Sequence, residues 1–132
     1  MSYTEKIAFV HNSQVPETEK VARSLIMSLN LQNRAWICSA GELQVKSADL
    51  ETTSLVVVVG GDGTILRTIR AISSYNAPVV GINMGKVGFM AELSPREALE
   101  RLPEFIDFIS RGNEKIRVEQ RMMLEADIIP AG

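Results

Sequence analysis

The sequence predicts an α/β fold in which an open, mostly parallel β-sheet carries helices on both faces. Short β-branched or apolar runs alternate along the chain with stretches whose apolar residues recur at helical spacing. Two of these runs, residues 54–59 and 77–82, lead directly into glycine-bearing loops. Regular alternation of strand and helix is the pattern of a parallel sheet covered on both faces by its crossover helices.

The first half of the chain predicts two strands separated by a helix. Residues 6–10 (KIAFV) form the first strand, which ends at the polar loop His11-Asn12-Ser13. A helix follows over about residues 16–31, and residues 34–38 (RAWIC) form the second strand. The next segment, residues 41–53, is polar with scattered apolar residues, which predicts a short helix or a turn.

The second half begins with the clearest elements. Residues 54–59 (SLVVVV) predict a buried strand, residues 65–72 a helix and residues 77–82 (APVVGI) a fourth strand. Further on, Ser94, Pro95 and Glu97 form a helix start, since Ser and Glu complete a capping box and proline suits the first helical position.

The region after this helix start departs from the regular pattern. Pro103 is predicted to divide the segment into a helix that ends near Arg101 and a second one over residues 103–111, stopped by Gly112. Residues 115–129 alternate partly between apolar and polar and predict strand.

Composition narrows the class of protein. The 132 residues are 45% hydrophobic, enough for one core but short for two domains. The formal net charge of −2 gives no indication of a nucleic-acid or anionic-membrane partner. The single cysteine, Cys38, excludes an internal disulfide, fits a reducing compartment and is expected to pack in its strand. No export signal or membrane span is present, so the sequence predicts a cytoplasmic location.

The junction at residues 60–64 (GGDGT) carries the strongest indication of a site. A strand, a glycine-rich turn and a helix N-terminus together form a phosphate site, because the first N–H groups of a helix lack internal partners and its dipole favours an anion. Asp62 is unusual there, since a carboxylate repels a bare phosphate. It fits if it holds a metal ion or takes a proton from an attacking hydroxyl. The alternative is that Asp62 only caps the helix.

A second glycine-bearing loop follows the fourth strand, at residues 83–90 (NMGKVGFM). In a parallel sheet both loops leave from the same edge, where open α/β sheets bind ligands. Taken alone, Gly85 and Gly88 are better explained by a turn that needs positive φ than by a ligand site.

The two motifs together, residues 60–66 (GGDGTIL) and 81–89 (GINMGKVGF), resemble those of the NAD kinases. The resemblance implies a Rossmann-like domain of the type shared by NAD kinases and diacylglycerol kinases. It also implies phosphoryl transfer from ATP or polyphosphate to the 2′-hydroxyl of the adenosine ribose of NAD. Mg²⁺ or another divalent cation would accompany ATP, and the full-length enzyme is expected to be a homo-oligomer.

By the same resemblance, particular residues take roles. Asp62 would be catalytic, accepting or directing the proton of the ribose hydroxyl. The phosphates of the dinucleotide and the donor would lie near Gly61, Gly63 and Thr64. Asn83, in the second motif, is assigned to substrate binding.

Three further polar residues have open assignments. Arg67, one helical turn beyond the GGDGT motif, is a nucleotide contact by resemblance or else a solvated helix residue. Lys86 in the second loop is a phosphate ligand or an ordinary exposed lysine. His11, the single histidine, lines the same sheet edge or belongs to a solvated turn.

The resemblance extends from Lys6 to the end of the chain and implies a domain boundary. Residues 1–114 would form the α/β domain that binds nucleotide phosphates. Residues 115–132 would begin the all-β domain that follows in this family, so the chain is expected to be incomplete and inactive alone. Asn113-Glu114 is interpreted as a polar turn, because the ribose-binding Asn-Glu or Asn-Asp pair of the family lies beyond this strand.

Other functions share part of this pattern. The GGDGT turn also occurs in diacylglycerol and sphingosine kinases and, as a variant, in 6-phosphofructokinases, so a lipid or sugar kinase is one alternative. The second loop favours NAD kinases, because the chain lacks the Pro-x-Gly-Thr-x-Asn-Asp-like loop of lipid kinases. A non-catalytic nucleotide-binding or interaction module is another alternative. The donor, ATP or polyphosphate, and the acceptor, NAD or NADH, stay open at this point.

Overall fold

A computed structural model describes residues 6–75, 77–84 and 93–110. Within them, a four-stranded parallel sheet has the order β2-β1-β3-β4, and helices cover both faces, which confirms the predicted fold class. The strands are β1 Lys6–His11, β2 Ala35–Ser39, β3 Thr53–Gly60 and β4 Val79–Asn83. The helices are α1 Pro16–Ser28, the 3₁₀ helix Ala40–Val45, α2 Ser47–Glu51, α3 Asp62–Ala71 and α4 Pro95–Ser110.

The register of the strands aligns their carboxyl ends. The last residue of β1, His11, pairs with Ser39 at the end of β2. On the other side of the sheet, Gly60 at the end of β3 pairs with Asn83 at the end of β4. The loops that leave all four strands therefore start from one edge of the sheet, the edge at which open α/β sheets bind ligands.

The central strand β3 divides the core into two layers. Alternate residues of the valine run point to opposite faces of the sheet. One set packs with α1 and α4, and the other packs with the 3₁₀ helix, α2 and α3. Because both faces are covered, β3 is apolar along its length instead of alternating.

Helix α1 is shorter than predicted. It ends at Ser28 instead of near Leu31, because Asn30 adopts a left-handed conformation with φ of 60°. The N–H of Leu31 then donates to the carbonyl of Ile26 over 2.9 Å, an arrangement that closes the end of the helix. Residues 41–53, predicted as a short helix or a turn, contain most of the 3₁₀ helix and all of α2.

The predicted division of the C-terminal helix at Pro103 is wrong, since α4 is one helix over Pro95–Ser110. Its start is as predicted: the Glu97 N–H donates to Ser94 Oγ over 3.1 Å, and the Ser94 N–H donates to Glu97 Oε1 over 2.9 Å. Pro103 itself is exposed. Buried side chains before and after it, Leu102 and Phe105, pack against the same sheet face and hold the two halves in line.

Burial should govern the chemistry of Cys38, and this is testable. Burial is the main cause that raises the pKa of the Cys38 thiol from its ordinary value of 9.0 to about 11, with a smaller contribution from Glu42. Between those two pH values the unfolded thiol loses its proton while the folded one keeps it, so stability falls as pH rises. We expect wild type to lose more stability in denaturant melts across this window than Cys38→Ala. Parallel curves for the two proteins would contradict the assignment.

Several sequence predictions fall outside the described residues. These are the loop glycines Gly85 and Gly88, Lys86, the Asn113-Glu114 turn and the strand over residues 115–129. Within the described ranges, no helix has both the length and the apolar character needed to cross a membrane.

Candidate functional site

The GGDGT motif forms the turn between β3 and α3. Gly61 is the N-cap of α3, and its carbonyl accepts the first helical hydrogen bond, from the Ile65 N–H over 3.1 Å. Asp62 is the first residue inside the helix, so the alternative in which it serves as the N-cap is wrong. Asp62 is half-buried in the first turn, where the negative charge of its carboxylate interacts favourably with the helix dipole.

The three glycines of the turn have different surroundings. A Cβ atom at Gly61 or Gly63 would meet no other atom within 4 Å. A Cβ at Gly60 would lie 3.0 Å from both Cβ and Oγ1 of Thr64. Gly60 therefore serves packing, whereas Gly61 and Gly63 leave open space beside the N-terminus of α3, the feature that a phosphate site requires.

This difference predicts opposite outcomes for two alanine substitutions. Gly60→Ala forces its methyl group against buried Thr64 and should lower the free energy of unfolding by about 1–3 kcal/mol, the usual cost of overpacking. Gly61→Ala projects into open space, so we expect nearly unchanged stability but weaker binding of phosphate ligands. Urea denaturation and ligand titration of both variants measure this, and equal stability losses would refute the division of roles.

Thr64 connects the turn to the body of α3. Its side chain is buried against Gly60, and its carbonyl accepts a hydrogen bond from the Thr68 hydroxyl over 2.8 Å. Thr64 also lines the cleft described next. Thr64 therefore packs inside the turn and also lines the cleft where the sequence predicts phosphate binding.

A cleft of about 470 Å³ lies over the turn. Four of the predicted site residues line it, namely Gly61, Gly63, Thr64 and Arg67. Its other walls come from the loop after β1 and the start of the 3₁₀ helix: Asn12, Ser13, Gln14, Ala40 and Gly41. Asp62 and Asn83 are not among its lining residues. Asn83 lies at the end of β4, level with Gly60, so it belongs to the same sheet edge.

The loop after β1, residues 12–14, was not predicted as part of the site, although His11 just before it was one candidate for this sheet edge. It is held by buried Thr18 of α1, whose hydroxyl accepts from the Asn12 N–H over 2.9 Å and donates to the Val15 carbonyl over 2.7 Å. Asn12 Oδ1 accepts from the Gln14 N–H over 3.0 Å. An asparagine directly after a strand is the sequence signal for this turn, because its side chain bonds to the backbone two residues later.

His11 is buried at the end of β1, with 8% of its surface exposed, so the solvated-turn alternative is wrong. Its Nδ1 atom is buried without a hydrogen-bond partner among the described residues. Glu42 of the 3₁₀ helix is close enough to interact electrostatically. The hydrogen bond from the Ser39 N–H, 2.8 Å long, is the main cause that lowers the pKa of Glu42, and His11 contributes less.

The described residues contain no group of three His, Cys, Asp or Glu side chains that could hold a metal ion. Asp62 is the carboxylate of the GGDGT turn. Mg²⁺ commonly binds through one or two carboxylates together with substrate phosphates, so a single aspartate in this turn fits such an ion.

Comparison with known proteins gives one consistent family. The family model described as the ATP-NAD kinase N-terminal domain matches residues 11–108. A protein named NAD kinase from Dehalococcoides mccartyi is 35% identical over 129 residues, which cover 96% of this chain and 43% of that relative. One from Azoarcus sp. is 33% identical over 112 residues, covering 83% of this chain and 36% of the relative.

A third relative matches a shorter part of the chain at higher identity. A protein named NAD kinase from Aromatoleum aromaticum is 45% identical over 78 residues, which cover 59% of this chain and 24% of the relative. The chain thus spans less than half the length of the curated relatives that it matches.

Proposed function

Because this chain belongs to the family of ATP-NAD kinase N-terminal domains, we propose that it supplies the phosphate-binding part of an NAD kinase. The reaction is phosphoryl transfer from ATP or polyphosphate to the 2′-hydroxyl of the adenosine ribose of NAD, giving NADP. The observation that carries the proposal is the open space over Gly61 and Gly63 at the N-terminus of α3, with Asp62 as the first helical residue.

The turn suits a substrate that brings several phosphates. Backbone N–H groups at the start of α3 lack partners within the helix, and the helix dipole adds partial positive charge. A phosphate can approach Gly61 and Gly63 closely because no Cβ stands in the way. Phosphoryl transfer needs mainly positioning and charge neutralisation, which this arrangement provides.

Asp62 is proposed as the group that activates the nucleophile. As the ribose oxygen forms its bond to the terminal phosphorus, the bond from that phosphorus to the leaving phosphate oxygen breaks, and the hydroxyl proton passes to Asp62. A divalent cation such as Mg²⁺, held by the substrate phosphates and Asp62, would neutralise phosphate charge when bound. Asn83, level with Gly60 at the sheet edge, is proposed to contact substrate.

Three broader proposals accompany this one. Residues 1–114 are proposed to form the α/β domain, and residues 115–132 to begin the β-rich domain that completes the dinucleotide pocket. The complete enzyme is proposed to be a cytoplasmic homo-oligomer. It acts on free nucleotides, with no nucleic-acid or membrane partner, in keeping with the net charge of −2.

The direct test is an assay of the complete gene product for NADP formation. We expect NADP from NAD with ATP or polyphosphate as donor, and no phosphorylation of diacylglycerol or fructose 6-phosphate under the same conditions. Omitting one donor at a time identifies the one used, and replacing NAD with NADH identifies the acceptor. Phosphorylation of the lipid or the sugar with no NADP would refute the proposal, and binding of NAD without turnover would favour a non-catalytic module.

A further inference from the structure

The cleft over the GGDGT turn continues along α3 into a second one. This second cleft, of about 540 Å³, lies between α3 and the 3₁₀ helix. The two clefts share Ala40, Gly41, Gly63 and Arg67 as lining residues. A ligand that starts at the turn therefore has a continuous path along the outer side of α3.

Two arginines lie along that path. Gly63, Arg67 and Arg70 line the second cleft, and their spacing of four and then three residues places them on one side of the helix. The stripe from Gly63 to Arg70 is roughly 10 Å long at the helical rise per residue. That length exceeds a single phosphate group and suits a chain of linked phosphates.

The charge of the cleft is positive. Arg67 and Arg70 are both exposed, and among the described residues neither takes part in an ion pair; the pairs there are Lys20–Glu17, Arg23–Glu19 and Arg101–Glu104. No Asp or Glu lines the second cleft. Two guanidinium groups without carboxylate partners in one cleft form a site for an anion, and their planar forks match phosphate oxygens.

Arg67 lies close to the opposite wall of the cleft. Its Nη2 atom lies 3.5 Å from the point where a Cβ of Gly41 would stand. The guanidinium of Arg67 therefore lies next to Gly41 of the 3₁₀ helix. Arg67 thus sits at the junction of the two clefts, and Arg70 lies one helical turn farther from the phosphate turn.

We infer that the second cleft binds the phosphate chain of the phosphoryl donor, with Arg67 and Arg70 contacting the phosphates that follow the transferred one. This inference rests on the proposed function for the identity of the ligand as a donor. The ligand class is a linear condensed phosphate, a chemistry shared by nucleoside triphosphates and inorganic polyphosphate. The terminal phosphate would lie at Gly61 and Gly63, and the rest of the chain would run along α3 toward Arg70.

The test is calorimetric titration of the complete gene product with three separate ligands: inorganic tripolyphosphate, ATP and NAD. We expect Arg70→Gln to lower the affinity for tripolyphosphate and for ATP by about 10-fold, the effect of losing one charged hydrogen-bonding partner. NAD affinity should change less than about 2-fold, because NAD has no triphosphate chain. Arg23→Gln, which removes an exposed helix arginine on α1, is the matched control and should leave all three affinities unchanged.

Further variants and readouts separate the possible outcomes. Arg70→Lys keeps the charge without the planar fork and should recover part of the lost affinity, while thermal melts of each variant verify folding. An equal loss of affinity for tripolyphosphate and for ATP in Arg70→Gln supports contact with the phosphate chain. A loss of affinity for ATP alone would assign Arg70 to the nucleoside and overturn the inference. Failure of the wild-type protein to bind tripolyphosphate would overturn it as well.

The proposed function is tested independently by NADP formation in wild type. If tripolyphosphate binding depends on Arg70 but no NADP forms, the cleft binds condensed phosphates and the kinase assignment fails. If NADP forms normally but Arg70→Gln binds tripolyphosphate and ATP like wild type, the inference fails and the kinase assignment stands.

Discussion

Asp62→Asn in the complete enzyme should reduce turnover by roughly 10²-fold or more, the usual scale of a lost general base. Asparagine keeps the size and polarity of the side chain but cannot accept the hydroxyl proton. The fold should survive, because Gly61 and not Asp62 is the N-cap of α3. Loss of the favourable first-turn charge costs the helix about 0.3–1 kcal/mol. Affinity for NAD should stay close to that of wild type, so the measurement is turnover and NAD binding side by side.

Asp49→Asn is the matched control for this variant. Asp49 also lies in the first turn of a helix, α2, which packs on the same face of the sheet as α3. Its substitution removes the same charge from the first turn of a helix, two residues farther from the N-cap, and should leave turnover unchanged. Titration with Mg²⁺ separates two roles of Asp62, because partial rescue at high Mg²⁺ indicates a metal ligand and no rescue indicates proton transfer. Wild-type turnover in Asp62→Asn would leave the GGDGT motif as a structural phosphate turn only.

Leu102→Ala should lower the free energy of unfolding by about 2–5 kcal/mol, the range for truncating a fully buried leucine. In the continuous helix α4, Ala98, Leu102 and Phe105 are spaced so that all three lie on one buried stripe against the sheet. If α4 were broken at Pro103, Leu102 would belong to a linker and its truncation would cost little. The measurement is the denaturant midpoint and slope of the variant against wild type.

Leu99→Ala provides the control on the same helix. Leu99 is 44% exposed, so its truncation removes a similar volume without opening a buried cavity. We expect a loss within about 0.5 kcal/mol, typical of surface substitutions. Similar losses for the two variants would contradict the single-helix description of α4.

Local sequence was sufficient for the elements that frame the turn. The β-branched run before Gly60 places apolar residues on both faces, so it predicts a strand buried on both faces. The structure confirms this for β3. The capping box of Ser94 and Glu97 predicts the start of α4, because its two hydrogen bonds form between neighbours in sequence. The glycines and helical spacing after β3 likewise predict a turn followed by the N-terminus of α3, whereas phosphate binding there stays a prediction.

Other features depended on parts of the chain far from one another in sequence. The strand order β2-β1-β3-β4 places the loop after β1 and the start of the 3₁₀ helix beside the GGDGT turn, and no local pattern encodes that neighbourhood. Burial of His11 follows from the same arrangement. The local pattern also predicted that Pro103 would break the helix. In the structure, packing of Leu102 and Phe105 on the sheet outweighs the local cost of proline.

The sequence by itself therefore determined the four strands, the helices that follow β1 and the turn, and the start of α4, because these depend on hydrogen bonds and apolar spacing between near neighbours. The structure, and not the glycine pattern, showed which glycine packs and which faces open space: a Cβ at Gly60 would lie against Thr64, while one at Gly61 or Gly63 would have no such neighbour. It also decided that Arg67 lies beside Gly41, some distance away in sequence. The physical reason is that a cleft is bounded by side chains from separate elements, and its walls exist only after the sheet has brought those elements together.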